Sequence, residues 1–281
     1  MTAAELLAAA AQALADAGVP NPRVDAEWLL AHALGRRRDS LWLHPTHPVT
    51  PENAARFRDL LARRRAREPL QYILGTQEFF GRLFRVTPNV LIPRPETELL
   101  VEAALERCGP ETTRMLDIGT GSGCIAVTLA LERQGARITA IDHVPEALAI
   151  AAANAAAHGV RQRVTLLQAD LRHALPDGPF DLLIANPPYC PAREWPTLQP
   201  EVRDFEPRGA VVGGEEGLDF LAAIIQSAPP RLSSGGWLAL EIGEGQAETL
   251  RALCDRAGAF AATLTRRDHR EVPRIVLAQR M

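Results

Sequence analysis

The chain has 281 residues, enough for one large domain or two smaller ones, and its 47% hydrophobic content supports a sizeable core. A formal net charge of -3 gives no overall pull toward nucleic acid. All 31 basic residues are arginine, which beside the abundant alanine reads as compositional bias more than function.

The opening "MTAAELLAAAAQALADAG" predicts an amphipathic helix, with Leu6, Leu7, Ala10 and Leu14 at helical spacing. Glu5 comes early and no basic segment precedes it, which disfavours a signal peptide. No apolar run is long enough to span a membrane. Val24, Trp28, Leu29 and, less strictly, His32 suggest the apolar face of a second helix. "TPENAARFRDLLARRRA" predicts a third, with Thr50 as N-cap, Pro51 in the first turn and Glu52 nearby. Its Arg63, Arg64, Arg65 and Arg67 read as a solvated face, or else as a patch that docks an acidic partner. Between about 70 and 95, aromatics, Gly81 and β-branched residues suggest a short hairpin and linker.

A helix is predicted from Glu96, and strands then alternate with helices: "RMLDI", "RITAID", "RVTLLQ", "FDLLIA" and "GWLALEI". That alternation argues for a parallel sheet built from βαβ units. The final "AATLTRRDHREVPRIVLAQ" has no intervening helix and reads as an antiparallel hairpin. Cys108, Cys124, Cys190 and Cys254 are scattered without metal-ligand or redox spacing. Free thiols in a reducing cytoplasm, and no metal, are therefore expected.

"MLDIGTGSGCIAVTLA" is a strand, a glycine loop and a helix. Gly119, Gly121 and Gly123, with the small Thr120 and Ser122 between them, let a ligand approach the backbone. The pattern is G-x-G-x-G, because Cys124 stands where a dinucleotide fingerprint has its last glycine. This favours a nucleoside-type ligand. Asp142 ends the next strand about twenty residues on, where a carboxylate can accept both ribose hydroxyls. Asp117 can attract a ligand ammonium, Asp170 can meet an adenine amine, and Leu171 lies beside the ring. The competing reading makes these acids caps of turns and helix starts, with most weight for Asp170. As an ordered set they describe a pocket for S-adenosyl-L-methionine.

The strand "FDLLIA" runs into Asn186-Pro187-Pro188-Tyr189. Asn186 and Pro187 each precede a proline and are pushed toward extended conformations. The corner is stiff and poor in N–H donors. A target –NH2 on an sp2 carbon could give one N–H to Asn186 Oδ1 and one to the Pro187 carbonyl. Its lone pair is delocalised, so catalysis needs orientation and stabilisation of developing positive charge. Tyr189 could lie against the planar group. An ordinary proline turn is the bland alternative.

These features resemble the amino-group methyltransferases, which include DNA adenine and protein glutamine enzymes. "PLQYILG", "EFFGRLFRVTPNVLIPRPETELLVE" and "FEPRGAVVGGEEGLDF" are similar to the HemK/PrmC family, the peptide chain release factor glutamine methyltransferases. The resemblance covers nearly the whole chain and is loose in the first fifty residues. It implies an α/β fold: a seven-stranded, doubly wound class I S-adenosylmethionine-dependent methyltransferase domain, preceded by a small all-helical domain and a β-hairpin linker. The implied division is 1–72 for release-factor recognition, 73–94 for the linker and 95–281 for catalysis. The implied reaction methylates the glutamine amide of a Gly-Gly-Gln motif in class 1 release factors, releases S-adenosyl-L-homocysteine and supports translation termination in the cytoplasm.

Carried over by residue, the cofactor falls on Gly119 through Gly123, Asp142, Leu171 and Asn186, and the substrate amide on Asn186, Pro187, Pro188 and Tyr189. Some members carry a large aromatic where this chain has Leu171. Arg94, between two prolines, either joins the mouth of the site or is linker only. The alternatives are a glutamine methyltransferase acting on a ribosomal protein, a DNA adenine methyltransferase, and a non-enzymatic scaffold. The net acidity and the lack of a target-recognition region weigh against DNA, and no direct nucleic-acid or membrane partner is expected.

Overall fold

The computed structural model describes residues 1–43, 46, 48–109, 111–173 and 175–281. Two compact units emerge: residues 1–76 with 199–205, and residues 77–198 with 206–281.

The first unit is helical. In α1 (Ala3–Asp16), Thr2 and Glu5 form a reciprocal capping box that satisfies two orphan N–H groups. Ala3, Leu6, Ala10 and Leu14 form its buried stripe. They join Leu29 and Leu30 of α2 (Pro22–Leu34), Leu41 of α3 (Asp39–Leu43), Phe57 of α4 (Pro51–Arg65) and Ile73 of α5 (Leu70–Leu74) in one core. Each fully buried Leu or Phe contributes roughly 1.5–3 kcal/mol. Thr50 caps α4 by accepting the Asn53 N–H.

Two expectations fail in this unit. Val24 and Trp28 are each 42% exposed and His32 is exposed too, so they do not form the inner face of α2. The buried stripe runs one residue later, through Asp25, Ala26, Leu29, Leu30 and Ala33. An aspartate can lie in that stripe because Arg64 meets it.

Arg64 itself is not solvated: it is 4% exposed. Its Nε donates to Asp25 Oδ2 at 2.7 Å, its Nη1 to the Glu68 carbonyl and its Nη2 to Glu201 Oε1. Arg67 grips both Glu201 oxygens, at 2.7 and 2.6 Å. Burial pushes the Glu201 carboxyl up, but hydrogen bonds from Arg67, its own backbone and Arg64 outweigh it and hold the group below its usual range. Asp25 goes the other way, because desolvation exceeds what Arg64 returns. Arg63 pairs with Glu68, and Arg65 lies on the exposed face.

A two-stranded ribbon, β1 (Thr76–Phe79) and β2 (Arg82–Arg85), turns at Phe80 and Gly81 with φ of 53° and 69°. A left-handed phenylalanine is costly, and the Phe80 N–H is held by Glu98 Oε1 at 2.7 Å. Phe79 and Phe84 bury edge to face.

The chain then runs through α6 (Pro95–Arg107), β3 (Arg114–Ile118), α7 (Cys124–Glu132), β4 (Arg137–Asp142), α8 (Pro145–Ala157), β5 (Val164–Gln168) and β6 (Phe180–Ala185). The short α9 (Pro200–Phe205), which carries Glu201, belongs to the helical unit. After it come α10 (Asp219–Ser227), β7 (Leu232–Glu241), α11 (Ala247–Ala257), β8 (Phe260–Arg267) and β9 (Pro273–Arg280).

The seven strands lie in the order β5-β4-β3-β6-β7-β9-β8, with β9 antiparallel to both neighbours and every other pair parallel. All five predicted parallel strands and the final hairpin are present. Separate apolar clusters cover the two faces of the sheet, as parallel strands require. The strand order reverses between β3 and β6. Ligands bind such sheets at the carboxyl ends of the strands, at that reversal.

Candidate active site

Ile118 of β3 is in register with Ala185 of β6. The glycine loop and Asn186 therefore leave the sheet side by side. Gly119, Gly121 and Gly123 all have φ between 54° and 80°, a region side chains rarely adopt. Their roles differ. A Cβ on Gly119 or Gly121 would meet nothing within 4 Å, so both present bare backbone to open space. A Cβ on Gly123 would lie 2.9 Å from the Ala151 Cβ, so this glycine lets α7 pack on α8. Thr120 and Ser122 are buried between them.

Asp142 pins the loop. Its Oδ2 accepts the Gly121 N–H at 2.9 Å and its Oδ1 the Val144 N–H at 3.0 Å. A cavity opens here, bordered by Gly119 through Ser122, Asp142, Leu171, Thr97 and Asn186 through Pro188. A smaller pocket shares Gly119, Asp142 and Leu171 and adds Asp170 and Arg172. Phe220 borders both, supplying an aromatic face near Leu171 that sequence reasoning did not single out.

Asp117 does not line either pocket. It lies fully buried under the loop, with Oδ2 accepting the Thr120 hydroxyl at 2.7 Å and Oδ1 buried without a hydrogen-bond partner among the described residues. Burial pushes its carboxyl up to about 7. Asp170 accepts from the Arg172 guanidinium at 3.1 and 2.7 Å and from the Arg172 N–H at 2.9 Å. The side-chain hydrogen bond from Arg172 is the main cause that holds it well below the usual carboxylate range. It thus caps its own turn while bordering the smaller pocket.

At the Asn-Pro-Pro-Tyr corner, Asn186, Pro187 and Pro188 border the main cavity. Tyr189 does not. Its ring packs on the sheet, and its hydroxyl donates to Glu241 Oε1 at 3.1 Å. The expected stacking of Tyr189 on a target group is not the arrangement seen. Burial, and then the neighbouring Glu241, push its hydroxyl pKa upward. The corner is buttressed by close backbone approach: a Cβ on Gly213 would lie 2.3 Å from the Pro188 carbonyl oxygen, and one on Gly217 2.1 Å from that of Tyr189. Arg94 is more than linker, because its guanidinium pairs with buried Glu206, which also accepts the Ile92 N–H at 3.2 Å.

Sequence reasoning did not assign Thr97 or Glu241. Asn186 Nδ2 donates to Thr97 Oγ1 at 2.9 Å, and Thr97 Oγ1 donates to Glu241 Oε2 at 2.7 Å. Both partners are buried. Burial pushes Glu241 up to about 7, against the hydrogen bonds from Thr97 and Tyr189. One signal was available: Glu241 ends an apolar strand with an acid, as Asp117 and Asp142 do near the ends of theirs.

Seven strands in this order, a glycine loop after β3 and an acid ending β4 define a class I methyltransferase. The methyl donor of that class, S-adenosylmethionine, fits the bare glycine backbone and the Asp142 carboxylate at the cavity wall. Residues 5–75 match the PrmC N-terminal domain and residues 95–197 the methyltransferase small domain. The chain is 49% identical over 263 residues to the release factor glutamine methyltransferase of Geobacter sulfurreducens, covering 94% of this chain and 91% of that one. It is 49% identical over 258 residues to that of Cereibacter sphaeroides, covering 92% and 91%. A solved structure, the T. thermophilus 16S rRNA N2 G1207 methyltransferase in complex with AdoMet and guanosine, aligns with TM-score 0.52 and 25% identity, covering 73% of this chain and 50% of that one. The chain belongs to the release factor glutamine methyltransferase family.

Proposed function

We propose that this protein methylates the side-chain amide of the glutamine in the Gly-Gly-Gln motif of class 1 peptide chain release factors, giving N(5)-methylglutamine in support of translation termination. S-adenosylmethionine supplies an electrophilic methyl group and leaves as S-adenosylhomocysteine. Gly119 through Ser122 and Asp142 hold the nucleoside end, with Gly123 packing the loop's helix in place, and Asp170 and Leu171 border the base. Asn186 Oδ1 and the Pro187 carbonyl accept the two amide N–H groups and aim the nitrogen. Positive charge that grows on nitrogen is stabilised by those two acceptors. No strong base is needed before attack, because the proton leaves after the C–N bond forms.

The observation that carries this reading is the tether of Asn186. Its NH2 is occupied by Thr97 at 2.9 Å, which leaves its oxygen for a donor. A planar amide nitrogen has two donors to offer, as an aromatic amine does, and the family membership selects the amide. We assign residues 1–72, together with the 199–205 segment of the helical unit, to engagement of the release factor, 73–94 to the linker and the rest of 95–281 to catalysis.

The test is transfer of tritiated methyl from S-adenosylmethionine to purified release factor, its Gln→Ala variant in the Gly-Gly-Gln motif, ribosomal protein and DNA. Label is expected on the release factor and lost in the variant. Label that persists in the variant, or that appears on ribosomal protein or DNA instead, overturns the reading.

A further inference from the structure

Four residues from three segments form a hydrogen-bonded chain that leads away from the cavity wall: Asn186 to Thr97, Thr97 to Glu241, and Tyr189 to Glu241. The direction of each bond follows from the last member. An ionised carboxylate has no proton and can only accept. Thr97 therefore spends its one hydroxyl proton on Glu241, and its oxygen is left as an acceptor. Only an N–H can then face Thr97, so Asn186 turns its NH2 inward and its Oδ1 outward.

We propose that the Thr97–Glu241 pair sets the polarity of the Asn186 amide and so makes this side chain a hydrogen-bond acceptor toward the methyl-accepting nitrogen. The inference rests on the glutamine-amide reading above. An amide rotated by half a turn would set NH2 against the substrate NH2, donor against donor. Thr97 and Glu241 act through Asn186, so both are positioning residues. Their order along the chain also strengthens the acceptor. Negative charge at Glu241 draws on the Thr97 proton, Thr97 oxygen draws on the Asn186 NH2, and electron density shifts to Oδ1. That shift counts most as the target nitrogen becomes positive.

Protonation of Glu241 would free the chain to reverse. A protonated carboxyl can donate to Thr97, whose own proton can then point at Asn186. The charged and titratable groups around Glu241 pull in both directions. Burial disfavours its anion, and Glu96 of α6 adds to this. Hydrogen bonds from Thr97 of α6 and Tyr189 of the corner, together with Arg274 of β9, favour the anion. Arg94 acts on Tyr189, and Glu241 in turn acts on Cys124 of α7.

The full chain is compared with Thr97→Val, Thr97→Ser, Glu241→Gln and Asn186→Ala, measuring kcat and KM on intact release factor, the S-adenosylmethionine Kd, and kcat across about pH 6 to 9. Thr97→Val is expected to lower kcat about tenfold or more with the cofactor Kd unchanged, and Thr97→Ser to restore most of it. Glu241→Gln, which can present either oxygen or NH2 to Thr97, is expected to lower kcat and to erase the acid limb of the wild-type profile. Wild-type kcat in Thr97→Val, or an acid limb that survives in Glu241→Gln, overturns the proposal. If Thr97→Val fails to bind cofactor, Thr97→Ser and Glu241→Gln decide the matter: wild-type turnover and profile in the latter reject the relay. Wild-type turnover in Asn186→Ala brings down the amide reading and the relay together, whereas an inactive Asn186→Ala beside a fully active Thr97→Val rejects the relay alone.

Discussion

Asp142 Oδ2 accepts the backbone N–H of Gly121 at 2.9 Å, which ties the glycine loop after β3 to the end of β4. One carboxylate thereby shapes the loop and faces the cavity that the loop borders. Asp142→Ala is expected to raise the S-adenosylmethionine Kd about 10- to 100-fold, the range for loss of charge-assisted hydrogen bonds. Isothermal titration would measure it. An unchanged Kd would contradict the assignment of Asp142 to the ribose.

Asn186→Ala removes the proposed side-chain acceptor without touching the core. Turnover on release factor should fall by about 10²–10³, the usual loss when one charge-stabilising group is deleted from an active site. Cofactor affinity and thermal midpoint should stay close to wild type. Wild-type turnover in single-turnover assays would sink the role of this residue.

Breaking the buried pair at Arg64 should cost stability. Arg64→Ala strands Asp25 beside an apolar core, with an expected loss of about 3–5 kcal/mol. Arg65→Ala, one position along on an exposed face, should change stability by less than about 0.5 kcal/mol. Urea unfolding of the two variants gives the comparison. Similar midpoints for both would show that the buried ion pair carries no such weight.

Asp117 gives a pH signature. Burial raises its folded pKa from 3.8 to about 7, so the folded state binds that proton more tightly than the unfolded chain. Its contribution to stability is therefore full below 3.8, is lost as pH rises toward about 7, and is level beyond. Asp117→Asn removes the titration. The urea midpoint of this variant, relative to wild type, should move in the variant's favour across that window. A difference that stays constant with pH would show that Asp117 titrates normally.

The β-strands were legible because each is a short apolar string bounded by turn residues, and the βαβ alternation leaves few topologies open. The glycine loop and the Asn-Pro-Pro-Tyr corner were legible because their chemistry is local. What could not be read is set by partners far along the chain. Arg64 looks solvated until Asp25 and Glu201, 39 and 137 residues away, are placed against it. The inner face of α2 was misread for the same cause, since an aspartate on a buried stripe is intelligible only with its arginine. Thr97 and Glu241 lie 144 residues apart, and nothing within "RPETE" or "WLALE" discloses that they meet.

The helical unit is assembled from two stretches of chain, residues 1–76 and 199–205. Glu201, on the later stretch, pairs with both Arg64 and Arg67 on the earlier one. A single genetic crossover near residue 76 therefore cannot exchange this unit between relatives intact. A hybrid made that way would inherit the arginines from one parent and their glutamate from the other. Any transplant of the helical unit has to carry both stretches.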